Sequence, residues 1–443
     1  MDESEKNRIA IVGGGITGLT LALFLSRNGW AVTVFEKEMR TGGLAAGFRA
    51  GPLSLDKYYR HIFSGHDELT NLIRSLGLEN RLVFNKAPMA YFSQGRVYPL
   101  NSPIDLLRFK PLALLDRLRV GISASTFLFR KKWQSFDAVT AASLLEKRCG
   151  KNGYTFFWQP LLKNKFGAHT SSVSATWLWD RLQSRTRGRL GRSSGALGYL
   201  RGGFMLLIER MEAEIIKNGG RIMTGLPVVS IEKTESSVKA LILNHDRSNP
   251  FSACLVTVPL PEFIKAVPTL PHEYREQLGR IEYSHSICMI LRLRKPLSPF
   301  YWINVGDDTI PFAVIVEHTN WIRDPDHPGE HVVYLSRYCN RNDDPALNSS
   351  DEELFDAYCG YLKKIFKDFN DSQILDYHIF RDLYTQPVFK AHYSRVLPSF
   401  ITPLDNLFLV NTSQFYPRSR CMNTSLILAD EFLSFWRERQ AQG

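Results

Sequence analysis

The chain has 443 residues, of which 44% are hydrophobic and 22% charged, and its formal net charge is +11. A chain of this size and composition can bury a full globular core in two or three domains, which excludes a disordered protein and a disulfide-stapled mini-protein. Its six cysteines show no Cys-x-x-Cys spacing, so neither a zinc ribbon nor a redox pair is predicted and a reducing cytosol is the expected compartment. The acidic first residues lack the basic start of a secretory signal.

The first elements along the chain predict a β-α-β unit. Residues 8–12 form a short apolar run that ends at glycines, which is typical of a strand buried on both faces of a parallel sheet. A helix is predicted over 19–27. The β-branched run 31–35 then predicts a second strand, which ends at Glu36.

The later elements alternate between α/β, helical and β-rich stretches. Helices are predicted over 67–76, 204–217, 351–367 and 425–437, a hairpin over 89–98, strands at 221–223, 228–231, 254–258 and 406–410 and through 281–340, a mostly helical region over 103–182, and a loop over 181–201.

This order predicts an α/β protein with two discontinuous domains. A Rossmann-like nucleotide-binding domain would be assembled from residues 1–90, 200–262 and 395–443. A mixed α+β substrate domain, residues 91–199 and 263–394, would be inserted between its parts.

A glycine motif lies between the first strand and the first helix. In Gly13-Gly14-Gly15-Ile16-Thr17-Gly18, the first glycine permits a tight turn, the third lets the backbone approach a pyrophosphate, and the last lets helix and strand pack closely. Glu36 ends the second strand where an acid can accept hydrogen bonds from the hydroxyls of a ribose. An acid at this position argues against a 2′-phosphate, so the motif predicts FAD or NAD rather than NADP.

The residues that follow distinguish between these two cofactors. Arg40-Thr41-Gly42-Gly43-Leu44 resembles the second glycine pair of FAD-containing amine oxidases, protoporphyrinogen oxidases and carotenoid desaturases. The resemblance implies that FAD is the cofactor, that this pair lies beside its ribityl chain and pyrophosphate, and that Arg40 helps to neutralise phosphate.

The same resemblance extends over most of the chain. It implies that the main chain of Val228 meets the adenine, and that the segment from Asn411 to the last helix closes on the flavin, where amides of Met422 and Asn423 would meet its pyrimidine edge. This segment lacks the Gly-Asp that the family commonly has after the strand. The residues predicted to bind FAD are Gly13, Gly14, Gly15, Ile16, Thr17, Gly18, Glu36, Lys37, Arg40, Gly42, Gly43, Leu44, Val228, Asn411, Met422 and Asn423.

Four side chains are candidates for the chemistry. The resemblance places Tyr59, Arg60 and His61 in a loop under the flavin ring, where His61 could act as acid or base and its neighbours could bind substrate. It places Lys165 on the other side, where it could hold a water at flavin N5 or pair with an acidic substrate. The alternative is that these side chains only pack around the cofactor or at the surface. No metal cluster, catalytic triad or Walker loop is found in the sequence.

Two segments concentrate the positive charge. Residues 104–133 interleave leucines and other apolar residues with Arg108, Lys110, Arg117, Arg119, Arg130, Lys131 and Lys132, which is typical of a basic amphipathic surface that touches a membrane peripherally. A solvated helical face is the alternative. Residues 181–201 hold six arginines and no acid. Nucleic acid is not a predicted partner, because no nucleic-acid-binding motif accompanies the charge.

The resemblance implies an FAD-dependent oxidoreductase that transfers hydride to flavin N5 from a C–H bond of an amine or an alkene. The basic segment favours a lipid-like small-molecule substrate and a cytoplasmic enzyme on the inner face of the membrane. One alternative is a redox-neutral flavoenzyme that acts on a nucleotide sugar, as UDP-galactopyranose mutases do, with Arg187 and Arg189 binding pyrophosphate. The other is a non-catalytic flavin-binding partner protein. The oligomeric state is left open.

Overall fold

The computed structural model describes residues 8–129, 132–187, 196–234, 237–243, 246–248, 250–323 and 329–442. Within these residues the helices, numbered in chain order, are α1 Ile16–Arg27, α2 Asp67–Ser75, α3 Pro103–Leu107, α4 Leu114–Phe129, α5 Gln134–Asp137, α6 Ala141–Gly153, α7 Gln159–Phe166, α8 Ala175–Arg187, α9 Met205–Lys217, α10 Leu260–Ala266, α11 His272–Gly279, α12 Pro345–Asn348, α13 Asp351–Ile365 and α14 Met422–Gln442.

The strands of the same residues, also in chain order, are β1 Arg8–Val12, β2 Ala31–Phe35, β3 Gly47–Ala50, β4 Leu53–Asp56, β5 Ile62–Phe63, β6 Leu82–Lys86, β7 Met89–Ser93, β8 Arg96–Pro99, β9 Ala196–Leu200, β10 Arg221–Met223, β11 Val228–Thr234, β12 Ser237–Leu243, β13 Asp246–Arg247, β14 Ala253–Val256, β15 Tyr283–Leu293, β16 Trp302–Val305, β17 Val314–Glu317, β18 His331–Cys339, β19 Ile374–Pro387 and β20 Leu407–Leu409.

A five-stranded parallel sheet forms one half of the molecule, in the order β10-β2-β1-β14-β20. Its central strands β1 and β14 are buried almost throughout, and α1 packs against β1 and β2 and against the helices α9 and α14. The carboxyl ends of parallel strands meet at one edge of a sheet, so Gly13, Glu36 and Thr257 lie together at this edge.

A mixed sheet of seven strands faces that edge, in the order β19-β15-β18-β17-β16-β7-β8. Side chains alternate between its two faces, as the period of a strand requires. Along β15, Ile287, Met289 and Leu291 pack with α13 in one apolar core, whereas Ser286 lies on the opposite face. The face that turns toward the parallel sheet carries Ser286 and Ser336 where it borders the cavity, whereas Ile290 and Val316 on the same face pack into the apolar core.

Besides the core of the parallel sheet and the core between the seven-stranded sheet and α13, there is a third apolar core next to the seven-stranded sheet. Helices α4, α6, α7 and α8 enclose it, and it is rich in aromatic side chains. A π-helical turn, Tyr154–Trp158, joins α6 to α7. The packing of α7 against β18 brings the polar residues of α7 to the open face of the seven-stranded sheet. No described helix is both long enough and apolar enough to cross a lipid bilayer.

The predicted loop over 181–201 is wrong at both ends. Helix α8 continues to Arg187 because its apolar residues pack in the third core, and β9 begins at Ala196. Strand β9 is held between β5 and β6, with Tyr199 and Leu200 buried. Residues 188–195, which include Arg189, lie outside the described residues, as do Arg130, Lys131 and the side chain of Arg187.

Candidate active site

A cavity of about 600 Å³ lies between the carboxyl edge of the parallel sheet and the face of the seven-stranded sheet that carries Ser286 and Ser336. One end is lined by the glycine motif after β1 and by the end of β2. The other end is lined by residues of α7, α8, β16 and β18. A cleft at the carboxyl edge of a parallel sheet, where strand order reverses, is the usual ligand site of such folds.

The glycine motif has the geometry of a phosphate-binding turn. Gly13 has φ +108°, and a Cβ on Gly18 would lie 2.0 Å from the carbonyl oxygen of Gly13, so neither position accepts a side chain. A Cβ on Gly15, by contrast, would meet no atom within 4 Å, because this residue opens onto the cavity. The first turn of α1 thus offers its backbone N–H groups to an anion at this end of the cavity.

Glu36 is buried and held in place by two backbone groups. Its Oε2 accepts a hydrogen bond of 2.7 Å from the N–H of Gly14, and its Oε1 accepts one of 2.9 Å from the N–H of Glu38. A carboxylate accepts about four hydrogen bonds, so each oxygen keeps a free lone pair toward the cavity. This arrangement suits the two neighbouring hydroxyls of a ribose.

The second glycine pair, Gly42 and Gly43, lies directly against the glycine motif that follows β1. The N–H of Gly42 donates to the carbonyl oxygen of Gly14 at 2.7 Å, and a Cβ on Gly43 would lie 3.3 Å from the Cα of Gly15. The two glycine segments therefore form one continuous wall of exposed backbone. Arg60 extends this wall, because its Nη2 donates to the carbonyl oxygen of Leu44.

Most of the predicted site residues line this one cavity. Those that do are Gly13, Gly15, Ile16, Thr17, Glu36, Lys37, Gly42, Gly43, Leu44, Tyr59, Arg60, His61, Lys165, Val228 and Met422. The cradle of backbone, the carboxylate of Glu36 and the helix N-terminus fit the pyrophosphate and adenosine of a dinucleotide. Leu44, Arg60 and Met422 would hold the flavin half of the dinucleotide.

Five other predicted residues do not line the cavity. Gly14 and Gly18 lie behind the turn, and Arg40 is exposed to solvent. The Asn411 side chain donates to the carbonyl oxygen of Val258 and accepts from the N–H of Ser413. The Asn423 side chain accepts from the N–H of Leu69 and donates to Glu68, so it ties α14 to α2.

The other end of the cavity holds a chain of aromatic and hydroxyl groups. The Lys165 Nζ lies 4.0 Å from the centre of the Tyr338 ring, whose hydroxyl is 3.1 Å from that of Tyr59. The rings of Tyr59 and Trp302 meet edge-on with their centres 4.9 Å apart, and the Trp302 ring also contacts the His61 ring. The structure thus brings Tyr59, His61 and Lys165 together, although Lys165 lies more than a hundred residues from the other two.

Burial and neighbouring charges perturb this end of the cavity. Burial, together with the charges of Arg181 and Arg420, lowers the pKa of Lys165 to about 8. Burial alone would raise the pKa of Tyr338, but the charges of Lys165, Arg420 and Arg181 and the hydrogen bond from Tyr59 lower it. Burial also lowers the pKa of His66 to about 4, so this residue is neutral at pH 7.

Sequence reasoning missed several residues of the cavity, among them Ser336, Tyr338 and Arg420. Ser336 and Tyr338 occupy alternate positions of β18, and Arg420 lies in the loop before α14. The face of β18 that carries Ser336 and Tyr338 also carries Val332, and the opposite face carries His331 and Arg337, so the strand has no regular polar alternation that would have marked them in the sequence.

Comparison with known proteins identifies the family. A family described as flavin containing amine oxidoreductase matches residues 16–414. Flavin-containing amine oxidase B of Sus scrofa is 25% identical over 316 residues, or 66% of this chain and 58% of that protein. Coproporphyrinogen III oxidase of Staphylococcus aureus is 23% identical over 290 residues, or 58% of this chain and 61% of that protein. The matches thus span about three fifths of the length of these relatives.

The fold agrees with this assignment. The crystal structure of a reduced UDP-galactopyranose mutase superposes with a TM-score of 0.75 at 15% identity, covering 97% of this chain and 96% of that protein. The match to an α/β flavoprotein fold confirms the predicted fold class, a Rossmann-like FAD-binding part combined with a substrate part. The chain belongs to the flavin-containing amine oxidoreductase family, and its cofactor is FAD.

Proposed function

We propose that the chain is an FAD-dependent oxidoreductase that transfers a hydride from a C–H bond of an alkene- or amine-containing, lipid-like substrate to flavin N5. The observation that carries this proposal is that one cavity joins a backbone cradle suited to a dinucleotide to an aromatic, hydroxyl-rich end suited to a substrate. FAD, when bound, would supply the hydride acceptor.

The protein's own residues bind, orient and shield the substrate. Trp302, Tyr59 and Tyr338 form an aromatic wall that would lie along an apolar substrate and exclude water from the reacting carbon. His61, whose Nδ1 is 3.3 Å from the hydroxyl of buried Tyr301, is held at the same wall. In the proposed reaction the substrate would lose a hydride to the cofactor and a proton to His61 or to solvent, and oxygen or a quinone would then take up the two electrons.

The experiment follows the flavin itself. The purified holoenzyme is mixed anaerobically with lipid extract or aqueous extract of the host, and the visible absorbance of the flavin is recorded. Bleaching by the lipid extract is the expected result. The control is boiled extract mixed with free FAD and without the protein. If neither extract bleaches the flavin, the oxidoreductase proposal fails, and the chemically reduced protein is then offered nucleotide sugars to test the mutase alternative.

We also propose that helices α3 and α4 place the enzyme on an anionic membrane. Six aliphatic side chains of these helices are 40–63% exposed: Ile104, Leu107, Leu114, Leu115, Leu118 and Ile122. Exposed basic residues of the same segment, Arg108, Lys110, Arg119 and Lys132, surround them. Aliphatic residues flanked by cations match the interface of a bilayer with acidic headgroups, where the apolar side chains enter the acyl boundary.

A further inference from the structure

Three cations converge on the substrate end of the cavity. Lys165 comes from α7, Arg181 from α8 and Arg420 from the loop before α14, and all three line the cavity. They lie close enough to perturb one another, since Arg181 and Arg420 both contribute to the lowered pKa of Lys165. Within the described residues, none of the three forms an ion pair with a carboxylate.

Three aspartates of this region have other partners. Asp382, which lines the cavity, accepts a hydrogen bond of 2.8 Å from the hydroxyl of Tyr58. Asp180 accepts a hydrogen bond of 2.6 Å from the N–H of Ser419. Asp56 is buried and accepts from the hydroxyl of Tyr199 and the N–H of Phe204. The Nε of Arg420 is buried without a hydrogen-bond partner among the described residues. Lys165, Arg181 and Arg420 are half-buried, and without a carboxylate partner in the described part of the chain they give this end of the cavity a positive charge that suits an anionic ligand.

The phosphates of FAD would be held away from these cations. The glycine motif and the first turn of α1 would hold the pyrophosphate, the second glycine pair lies next to that motif, and Arg60 donates to the carbonyl oxygen of Leu44 directly beyond that pair. Arg420 lies near Arg60, and Lys165 and Arg181 lie on helices α7 and α8. Following these contacts from the glycine motif, one reaches Lys165, Arg181 and Arg420 only after Leu44 and Arg60.

We propose that Lys165, Arg181 and Arg420 bind a carboxylate or phosphate of the substrate, and thereby position its apolar part against the aromatic wall. This inference rests on the proposed function and narrows it, because a cluster of three cations repels an ammonium group and favours an acidic substrate. Both arginines can form two parallel hydrogen bonds to such a group, and Lys165 adds a third direction of contact. A fatty carboxylate and a nucleotide diphosphate are the two sources of such an anion.

The test measures binding without turnover. The FAD-loaded protein is titrated with octanoate, with UDP and with octylamine, and the perturbation of the flavin spectrum and the heat of binding are recorded. We expect one of the two anions to bind and octylamine not to. Lys165→Met and Arg181→Gln should each weaken binding of that anion about 10- to 100-fold, as loss of one charge-assisted contact predicts.

The matched control is Lys163→Met, which removes the same charge from the same helix at an exposed residue that pairs with Asp308. It should leave anion affinity unchanged. Octylamine binding as tightly as octanoate, or anion affinity that is equal in the Lys165 and Lys163 variants, would overturn the inference. Loss of FAD from the Lys165→Met or Arg181→Gln protein would instead assign the cations to the cofactor. None of these outcomes depends on bleaching of the flavin by an extract.

Discussion

At the scale of single residues, Glu36 shows how a side chain is prepared for a ligand. The N–H groups of Gly14 and Glu38 fix both of its oxygens, so the carboxylate loses little freedom when a ribose binds. In Glu36→Gln, an amide N–H group would face one of these backbone donors. We expect FAD affinity to fall about 10- to 100-fold, measured by equilibrium dialysis of the flavin.

The control for this change is Glu209→Gln, at an exposed residue of α9. It makes the same substitution away from the cavity and should leave FAD affinity unaltered. An equal affinity of both variants for FAD would show that Glu36 does not contact the ribose.

Lys165 gives the site a pH dependence. Its pKa is lowered to about 8, so the ammonium is present below pH 8 and is lost above it. We therefore expect anion affinity, measured by the same octanoate and UDP titrations, to be constant at lower pH and to fall by up to about tenfold for each pH unit above 8. The groups that face this ammonium are Tyr338, Tyr59, Arg181 and Arg420.

Two variants assign the titration. In Lys165→Met, affinity should be weaker and flat across this pH range. In Tyr338→Phe, the fall should persist because the lysine remains, and it should begin at a lower pH because the Tyr338 hydroxyl, which raises the pKa of Lys165, is lost. A fall that persists in the methionine variant and vanishes in Tyr338→Phe would identify the tyrosine as the titrating group.

The sequence located the dinucleotide half of the site better than the substrate half. Gly13, Gly15 and Glu36 are close along the chain, and their spacing alone predicts a turn, a helix start and an acid at the end of the next strand. Tyr338 and Arg420 are brought to Lys165 only by the packing of α7 on β18 and by the loop before α14. Long-range packing of this kind leaves no local spacing to read.

At the scale of elements, helices α3 and α4 expose aliphatic side chains to solvent, and this exposure does not stabilise the fold. Leu115→Asp replaces a side chain that is 58% exposed, so folding should be unaffected. Because a charge there opposes entry into the bilayer, we expect the fraction of protein that sediments with phosphatidylglycerol vesicles to fall several-fold. Binding of the unaltered protein should also weaken in high salt.

The control variant is Ile216→Asp, at a residue that is 59% exposed on α9. It matches the exposure and the added charge but lies outside the α3 and α4 surface, and its vesicle binding should equal that of the unaltered protein. If both variants sediment equally, the membrane proposal is wrong.

Elements were predicted well where one period of hydrophobicity persisted. The helix predicted over 351–367 is α13, Asp351–Ile365, and the hairpin over 89–98 is the pair β7 and β8. Strand β19 was missed, because Asp376, Arg381 and Asp382 interrupt its apolar residues. Only pairing with fully buried β15 makes this charged segment a strand. The domain boundaries stay a prediction.

At the scale of the whole molecule, two sheets and a helical core surround one cavity. Each wall is stable for its own reason: the parallel sheet is covered by helices, the seven-stranded sheet is covered by α13, and the helical layer has an aromatic core. The cavity is therefore a gap between cores rather than a defect within one. Its polar lining is tolerated because it borders a ligand site and not packed interior.

The connectivity of the parallel sheet determines when the cofactor can be bound during synthesis. Strand β1 pairs with β14, which begins at Ala253, and β14 pairs with β20, which begins at Leu407. The glycine motif emerges from the ribosome early, yet Thr257 and Met422, which also line the cavity, emerge hundreds of residues later. The nascent chain thus holds the phosphate turn without its neighbours, and we expect loading with flavin to follow the emergence of α14, after the last strand.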